Sequence, residues 1–267
     1  MAQNVILITG ATDGLGRRVV EKLAAPGLHL LIHGRDAGRG REVAKTVEAA
    51  GATATFYQAD FASLQAVRGL AETVAAEHRQ IDILINNAGI ALAKGPRRTS
   101  ADGFELSFAV NYLAPFLLTR LLLPRLGQER ASRIINVASA GQAPIDFGNV
   151  MLESGYDGMY AYRQSKLAQI LFTFDLAEEL KGKKVIAATL HPSTYMDTTM
   201  VRNGGITPIS SVDPGADAVI ALVTRPAEAV AGKYFDVQRE SRANGQAYDR
   251  EARRKLRELS MELTGLG

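Results

Sequence analysis

Short apolar runs of strand length alternate with longer amphipathic segments along almost the whole of this 267-residue sequence. Strands separated by helices pair in parallel through right-handed crossovers, and continuous apolar strands indicate a sheet covered on both faces. The expected strands are Val5–Thr9, Leu28–His33, Thr53–Gln58, Ile83–Asn86, Arg133–Ala138, Lys184–Leu190 and Lys233–Val237. The expected helices are Leu15–Ala25, Ala37–Ala50, Leu64–His78, Asn111–Leu126, Tyr160–Leu180 and Tyr248–Leu263. The pattern predicts one doubly wound α/β domain over residues 1–267, with a mostly parallel sheet of seven strands.

Three segments interrupt this alternation with turn-forming residues and poor periodicity: Ala91–Thr99, Gln142–Gly158 and Tyr195–Pro214. Each follows a strand, so each is expected at the carboxyl edge of the sheet, where open α/β folds bind ligands. Long irregular segments inside a compact domain are often functional. The stretches 142–160 and 195–214 are therefore the predicted substrate loops.

The composition excludes several kinds of chemistry. The absence of cysteine excludes disulfides, a thiolate nucleophile and cysteine-ligated metals. The four histidines form no His-Glu-x-x-His pattern, so no metal site is predicted. The net charge is only +3, and the basic clusters 35–41 and 250–257 contain no interleaved aromatic residues. This favours solvated helix faces, and no nucleic-acid partner is expected.

The sequence also bears on location. The first ten residues run into a strand without a basic leader or a cleavage site. The longest apolar stretch, Leu113–Leu126, is interrupted by Pro115, Arg120 and Pro124 and is too short to span a bilayer. We expect a cytoplasmic protein without a membrane anchor.

A glycine-rich turn, Thr9–Gly16, joins the first strand to the first helix with the spacing Gly-x-x-x-Gly-x-Gly. Glycines permit close backbone approach, and a helix N-terminus offers unpaired N–H groups to a phosphate. The Gly-Lys-Ser/Thr of a Walker loop is absent, and Val19 breaks the Gly-x-Gly-x-x-Gly spacing. A simple strand–helix connection is the alternative, but the position after the first strand favours nucleotide binding in a Rossmann fold.

The second strand ends in the run Ile32-His33-Gly34-Arg35. In dinucleotide folds a carboxylate at this point binds the ribose 2′-hydroxyl, whereas an arginine suits a 2′-phosphate. No carboxylate precedes Arg35, although Asp36 follows it. This favours NADP(H), with NAD(H) possible; the alternative is a surface arginine with no ligand.

Tyr162 and Lys166 are four residues apart, so on a helix they lie on the same face. A tyrosine normally titrates near pH 10, but a neighbouring ammonium lowers its pKa and makes it a usable proton donor or acceptor. Such a pair is common on helices, and alone it would indicate only a packed tyrosine beside a surface lysine. Tyr156 and Tyr160 have no lysine four residues later.

Taken together, the motifs resemble the short-chain dehydrogenase/reductase family over nearly the whole chain, and most closely its retinol-dehydrogenase-like branch with bacterial relatives. The resemblance rests on their order: the turn Thr9–Gly16, Asp60 after the third strand, Asn86–Gly89 after the fourth, then Asn111, Ser139, Tyr162 and Lys166. It implies an NAD(P)-dependent oxidoreductase acting on carbonyls or secondary alcohols.

The resemblance also implies roles for four catalytic residues. Tyr162 exchanges a proton with the substrate oxygen, and Ser139 hydrogen-bonds that oxygen. Lys166 lowers the pKa of Tyr162 and binds the nicotinamide ribose, while Asn111 helps hold a relay water. Asp60 meets the adenine, and Asn87 supports the cofactor-facing edge of the sheet. The full expected cofactor-binding set is Gly10, Thr12, Asp13, Gly14, Leu15, Gly16, Arg35, Asp60, Phe61, Asn87, Gly89, Tyr162, Lys166, Ser193 and Thr194.

Two positions depart from the family pattern. After the sixth strand, Ser193 stands where the family has glycine, and Asp197 stands where a threonine is often found, with Thr198 one place later. Asp13 stands where many NADP-preferring members carry a basic residue. The NADP assignment therefore depends mainly on Arg35.

The substrate loops are apolar, which predicts a hydrophobic carbonyl or alcohol substrate. Packing beneath the loops is the alternative role for the residues that carry this character: Ile145, Phe147, Met151, Leu152, Met159, Tyr195, Met196 and Met200. A cofactor-binding sensor without turnover is disfavoured because all four catalytic positions are filled. An epimerase or dehydratase is disfavoured because the chain has no second substrate domain. By resemblance, self-association as a homo-oligomer is expected.

Overall fold

The computed structural model describes residues 3–92 and 94–267, so Met1 and Ala2 of the N-terminal run, and Ala93 of the expected irregular segment Ala91–Thr99, lie outside it. The described strands form a single sheet in the order β3-β2-β1-β4-β5-β6-β7-β8. All neighbours are parallel except β7 and β8. The strands are β1 Asn4–Ile8, β2 Leu28–Gly34, β3 Thr53–Gln58, β4 Ile83–Asn86, β5 Ser132–Val137, β6 Val185–His191, β7 Tyr234–Asp236 and β8 Arg239–Glu240.

Helices cover both faces of this sheet. They are α1 Gly14–Leu23, α2 Ala37–Ala49, α3 Leu64–Glu77, α4 Leu106–Phe108, α5 Ala114–Leu122, α6 Gly158–Glu179, α7 Thr199–Asn203, α8 Asp213–Thr224, α9 Ala227–Val230 and α10 Arg250–Thr264, with a π-turn at Ala109–Leu113 and 3-10 turns at Leu123–Arg125 and Gly245–Tyr248. The predicted single-domain Rossmann fold is confirmed.

The period-two geometry of a strand explains why the strands are apolar throughout. In β1, Ile6 and Ile8 pack into the core beneath α1 and α8, whereas Leu7 between them packs into the opposite core beneath α3, α5 and α6. The same division separates Leu31 from Leu30 in β2. Because both faces are buried, apolar residues dominate the strands, and buried polar residues such as Asn86 and Asn136 are hydrogen-bonded to each other.

The sheet has eight strands rather than the seven expected. β8 is a two-residue strand that turns back on β7, pairing Asp236 with Arg239 in antiparallel register. Both of its residues, Arg239 and Glu240, are exposed. A short, exposed, charged edge strand has no hydrophobic pattern by which a sequence could reveal it.

The helices α7, α8 and α9, in the crossover between β6 and β7, were not predicted from the sequence. The segment expected to be irregular, Tyr195–Pro214, contains α7 and the start of α8. Pro214 and Gly215 resemble a turn in the sequence, but proline is well tolerated in the first turn of a helix. A side chain at Gly215 would collide with the sulfur of Met196, so this glycine permits close packing.

A continuous helical run, Leu106–Arg125, begins five residues before the expected start at Asn111. It is long and apolar enough to cross a membrane by length and composition, yet 83% of its most apolar window is buried inside the protein. The apolar character of this run therefore matches its place in the core beneath the sheet.

The C-terminal helix α10 packs against α6 and the Gly245–Tyr248 turn. The Tyr112 hydroxyl and Ser260 Oγ lie 2.7 Å apart, and Arg257 pairs with Asp175 at 2.8 Å. Leu256 is almost fully buried in the same interface. The helix α10 thus covers the core that lies beneath α3, α5 and α6.

Replacing Leu256 with Ala should lower the free energy of unfolding by about 2–5 kcal/mol, because it removes buried methyl groups and leaves a cavity. Urea denaturation measures the change. Leu259, which is only partly buried on the same helix, provides the matched control: Leu259→Ala should cost clearly less. Equal losses in the two variants would show that α10 is not seated as described.

Candidate functional site

The glycine turn requires its glycines for reasons visible in the backbone. Gly10 and Gly14 have φ angles of +63° and +49°, in the left-handed region that favours glycine. A Cβ on Gly16 would collide with the carbonyl oxygen of Gly10 and with the side chain of Asn87. The turn therefore brings its backbone close to the end of β4.

Asn87 and Thr9 fasten the turn to the neighbouring strand. The Asn87 side chain donates to the carbonyl oxygens of Thr9 and Gly10 at 2.9 and 3.1 Å. The Thr9 hydroxyl oxygen accepts from the backbone N–H groups of Asn87 and Ala88 at 2.9 and 3.0 Å. These bonds place the turn at the switch point of the sheet, where β1 pairs with both β2 and β4.

The turn fits a dinucleotide. α1 begins at Gly14, so the backbone N–H groups of Gly14–Gly16 lie at a helix N-terminus, where a phosphate can bind. The Asp13 carboxylate caps Gly14 N at 2.8 Å and lies 3.3 Å from Arg39 Nη1. A basic side chain, Arg39, therefore lies beside the position where many NADP-preferring members carry a basic residue.

The expected adenosine-side residues lie together at the ends of β2 and β3. Arg35 and Asp60 are exposed. Thr12 is buried against β2, where its side chain fills the space beside Gly34. Phe61 is also buried, and its ring stacks on that of His33 with centroids 4.2 Å apart. Phe61 therefore supports this region from beneath.

Ser139 and Tyr162 meet just beyond the end of β5. The Ser139 Oγ accepts from Gly141 N at 3.0 Å. A Cβ on Gly141 would lie 3.5 Å from Ser139 Oγ and 3.9 Å from Tyr162 Cε1, so both side chains border the same small space. The absence of a side chain at Gly141 leaves that space open.

Lys166 is buried one helical turn beyond Tyr162. Its Nζ donates to the Val137 carbonyl oxygen and to Gln169 Oε1, each at 2.9 Å. Burial lowers the pKa of Lys166 to about 7. A Cβ on Gly89 would lie 3.4 Å from Nζ, so the lysine faces the loop that follows β4.

Tyr162 differs from the expectation that Lys166 lowers its pKa. Burial raises the pKa of Tyr162, and its hydrogen bond with Ser139 opposes the rise only in part. The Lys166 nitrogen is 5.9 Å from the centre of the tyrosine ring. Burial also lowers the pKa of Lys166, which reduces the stabilisation that its charge offers the phenolate in the protein alone.

Asn111 lies in the π-turn, a feature often found at functional sites. Its Oδ1 accepts from Ile90 N at 2.7 Å, and its Nδ2 donates to the Ile90 carbonyl oxygen and Ser165 Oγ, each at 2.9 Å. The side chain thus ties the loop after β4 to α6.

In the loop after β6, the two residues predicted to bind the cofactor, Ser193 and Thr194, use their hydroxyls in contacts within the protein. Ser193 Oγ lies 3.3 Å from Ser210 Oγ, and Thr194 Oγ1 lies 3.0 Å from His191 Nε2, so both hydroxyls are engaged within the loop. Thr198 is the residue that reaches the glycine turn: a Cβ on Gly14 would lie 3.0 Å from its Cγ2.

The first substrate loop rests on the C-terminal segment. Gln246 Oε1 accepts from Ile145 N at 2.6 Å and its Nε2 donates to the Ile145 carbonyl oxygen at 3.0 Å, while Gln142 Oε1 accepts from Asn244 N at 2.7 Å. Ile145 and Leu152 are buried, so they pack beneath the loop. Tyr195, in the second loop, is 48% exposed and remains available to a ligand.

Comparison with known proteins decides the family. The short chain dehydrogenase family model matches residues 4–207. The chain belongs to the short chain dehydrogenase family.

Proteins similar in sequence to this chain include a retinol dehydrogenase and a polyprenol dehydrogenase. Mouse retinol dehydrogenase 13 is 35% identical over 285 residues, covering 98% of this chain and 84% of that protein. Mouse polyprenol dehydrogenase is 34% identical over 285 residues, with the same coverage of 98% and 84%. The resemblance to the retinol-dehydrogenase-like branch is confirmed.

Two crystal structures are similar in fold. A protein from Mycobacterium paratuberculosis has a TM-score of 0.82 at 30% identity, covering 99% of this chain and 94% of that one. A short chain dehydrogenase from Burkholderia cenocepacia J2315, in complex with NADP, has a TM-score of 0.72 at 28% identity, covering 88% and 96%.

Three residues that contact the candidate site were not predicted from the sequence as site residues. Gln169 accepts a hydrogen bond from Lys166, and its position three residues later on the same helix was a detectable signal. Thr198 was noted only as a displaced threonine. His33 contacts the glycine turn from a different strand, and no local pattern in the sequence reveals that contact.

The buried Lys166 predicts how stability depends on pH. Its folded-state pKa of about 7 lies below the ordinary value of 10.5. Between these values the unfolded chain binds the proton and the folded chain does not, so stability rises with pH. The slope from this group is at most about 1.4 kcal/mol per pH unit. Urea denaturation of the cofactor-free protein from pH 7 to 10 measures it.

Lys166→Met provides the comparison, because it removes the titrating group while keeping an unbranched side chain. The wild-type free energy of unfolding should rise relative to that of the variant as pH increases. Parallel curves would contradict a depressed lysine pKa.

Proposed function

We propose that this protein is an NADP(H)-dependent oxidoreductase that interconverts an apolar carbonyl compound and the corresponding alcohol, with Tyr162 as general acid and base. The observation that carries the proposal is the convergence of Tyr162 and Ser139 on one open space beside Gly141, with Lys166 buried one helical turn away. A nicotinamide cofactor supplies the hydride when bound. The protein supplies position and a proton.

In the reducing direction, Tyr162 donates its phenolic proton to the substrate oxygen while Ser139 donates a hydrogen bond to the same oxygen. Burial raises the pKa of Tyr162, which keeps this proton in place at neutral pH. Lys166 lies where a charged form would stabilise the phenolate left behind.

The preference for NADP(H) is supported by charge at the end of β2. Arg35 is exposed immediately after the strand, and Arg39 lies one turn into α2. The Asp36 carboxylate, one residue later, is engaged as the α2 N-cap, accepting from Arg39 N at 3.0 Å. The similar Burkholderia enzyme was crystallised with NADP. An exposed arginine directly after the second strand suits a 2′-phosphate.

An apolar substrate is supported by the second loop and by the names of the relatives. Tyr195 is exposed at its start, and Met200 is partly exposed in α7. Retinol and polyprenol, which appear in the names of the relatives, are both hydrophobic alcohols. The cytoplasmic location and the self-association expected from the sequence stay predictions, to be checked by cell fractionation and by light scattering of the purified protein.

Tyr162→Phe should lower kcat for carbonyl reduction by at least about 100-fold, because it removes the general acid. The Kd for NADPH, measured by fluorescence titration, should change little. Tyr160→Phe is the matched control: its hydroxyl donates to the Pro144 carbonyl oxygen, outside the catalytic space. If Tyr162→Phe retained full turnover, the assignment of Tyr162 would be wrong.

Arg35→Ala should raise the Kd for NADPH about tenfold or more and leave the Kd for NADH nearly unchanged, because it removes a charge-assisted partner of the 2′-phosphate. Fluorescence titration with each cofactor measures the two constants. Arg41→Ala, an exposed arginine farther along α2, is the matched control. Equal weakening of both cofactors would remove the basis for NADP preference.

A further inference from the structure

His33 is a buried histidine that no step of the proposed chemistry uses. It stands near the end of β2 and is 2% exposed. Its Nδ1 lies 3.3 Å from the backbone nitrogen of Gly10, which donates to it, and its Nε2 lies 3.1 Å from the carbonyl oxygen of Ala59. The ring thus contacts the backbones of two loops that begin on other strands.

These two contacts define the state of the ring. Nδ1 must carry no proton, because it accepts from Gly10, and Nε2 must carry one, because it donates to Ala59. Both requirements select the same neutral tautomer. Burial lowers the pKa of His33 to about 4, which keeps it neutral, although the neighbouring Asp60 carboxylate acts against this and the Arg35 guanidinium reinforces it.

The partners of His33 all belong to the region expected to hold the adenosine half of the cofactor. Gly10 opens the glycine turn, Ala59 precedes Asp60, and the ring of Phe61 stacks on the imidazole. Asn87 holds the carbonyl oxygen of Gly10 from the β4 side. His33 holds the amide of the same residue from the β2 side, so Gly10 is fixed at both ends.

We propose that His33 is a positioning residue for cofactor binding: as acceptor for the Gly10 amide, it holds the glycine turn in register with the loops of Arg35 and Asp60. The inference rests on the proposed dinucleotide-binding function. It identifies an affinity determinant that does not itself touch the cofactor. Ser139 follows β5, and Tyr162 and Lys166 lie near the start of α6. His33 therefore acts on binding of the adenosine half and not on proton transfer.

Two substitutions separate the acceptor role from simple packing. His33→Asn places an amide oxygen close to the position of Nδ1, so it can still accept from Gly10. His33→Gln places its amide near Nε2 and leaves Gly10 N without that acceptor. An unsatisfied buried N–H costs enough to raise a Kd about tenfold. His29→Gln, on the same strand but bonded to Thr55 Oγ1, is the matched control.

The experiment measures the Kd values for NADPH and for 2′,5′-ADP, which represents the adenosine half, together with kcat at saturating NADPH. We expect His33→Gln to weaken both ligands by the same factor of about ten, with kcat unchanged. His33→Asn and His29→Gln should remain within about threefold of wild type, which is well under the effect of a lost hydrogen bond. Circular dichroism and the melting temperature establish that each variant is folded.

Several results would overturn the inference: wild-type affinity in His33→Gln, equal losses in the Gln and Asn variants, or a fall in kcat as large as the loss of affinity. If His33→Gln did not fold, His33→Ala would replace it, since it removes both ring nitrogens without added bulk, and the same outcomes apply. Failure of the wild-type protein to bind NADPH would instead contradict the proposed function.

Discussion

The pairing of β1 with both β2 and β4 is the constraint on which the site depends. The chain leaves β1 in one direction along the sheet and later returns to the other side, so the loops after β1 and β4 diverge and leave a crevice between them. Asn87 closes the base of this crevice by bonding to Thr9 and Gly10. Without that geometry, the glycine turn and the catalytic helix α6 would not face the same space.

Burial of Lys166 at the candidate site lowers the stability of the fold. An ammonium loses solvation when it enters the protein interior, and here it recovers two hydrogen bonds, to Val137 and Gln169. The lowered pKa of this lysine indicates that the two hydrogen bonds do not fully replace the lost solvation. A functional site that keeps such a group is less stable than an apolar replacement of the same shape would make it.

Much of the fold followed from periodicity, because strands buried on both faces must be apolar and helices must alternate with them. The order of the motifs, through the family resemblance, also implied that Ser139 and Tyr162 act on the same substrate oxygen. What the sequence could not supply depends on contacts between distant segments. β8 has only charged, exposed residues, and α8 begins with a proline and a glycine that resemble a turn. The raised pKa of Tyr162 depends on how deeply the ring is buried, and spacing along a helix carries no such information.

The bonds from Gln246 and Asn244 to the first substrate loop have a consequence for how selectivity can change. The wall of the substrate site is supported by a segment that lies more than eighty residues beyond Tyr162 in the chain. Substitutions near the carboxyl terminus can therefore reshape the entrance while the proton-transfer residues stay as they are. Under the proposed function, chemistry and selectivity would be carried by separable parts of the chain, and a new substrate range could arise without changes to the residues proposed for proton transfer.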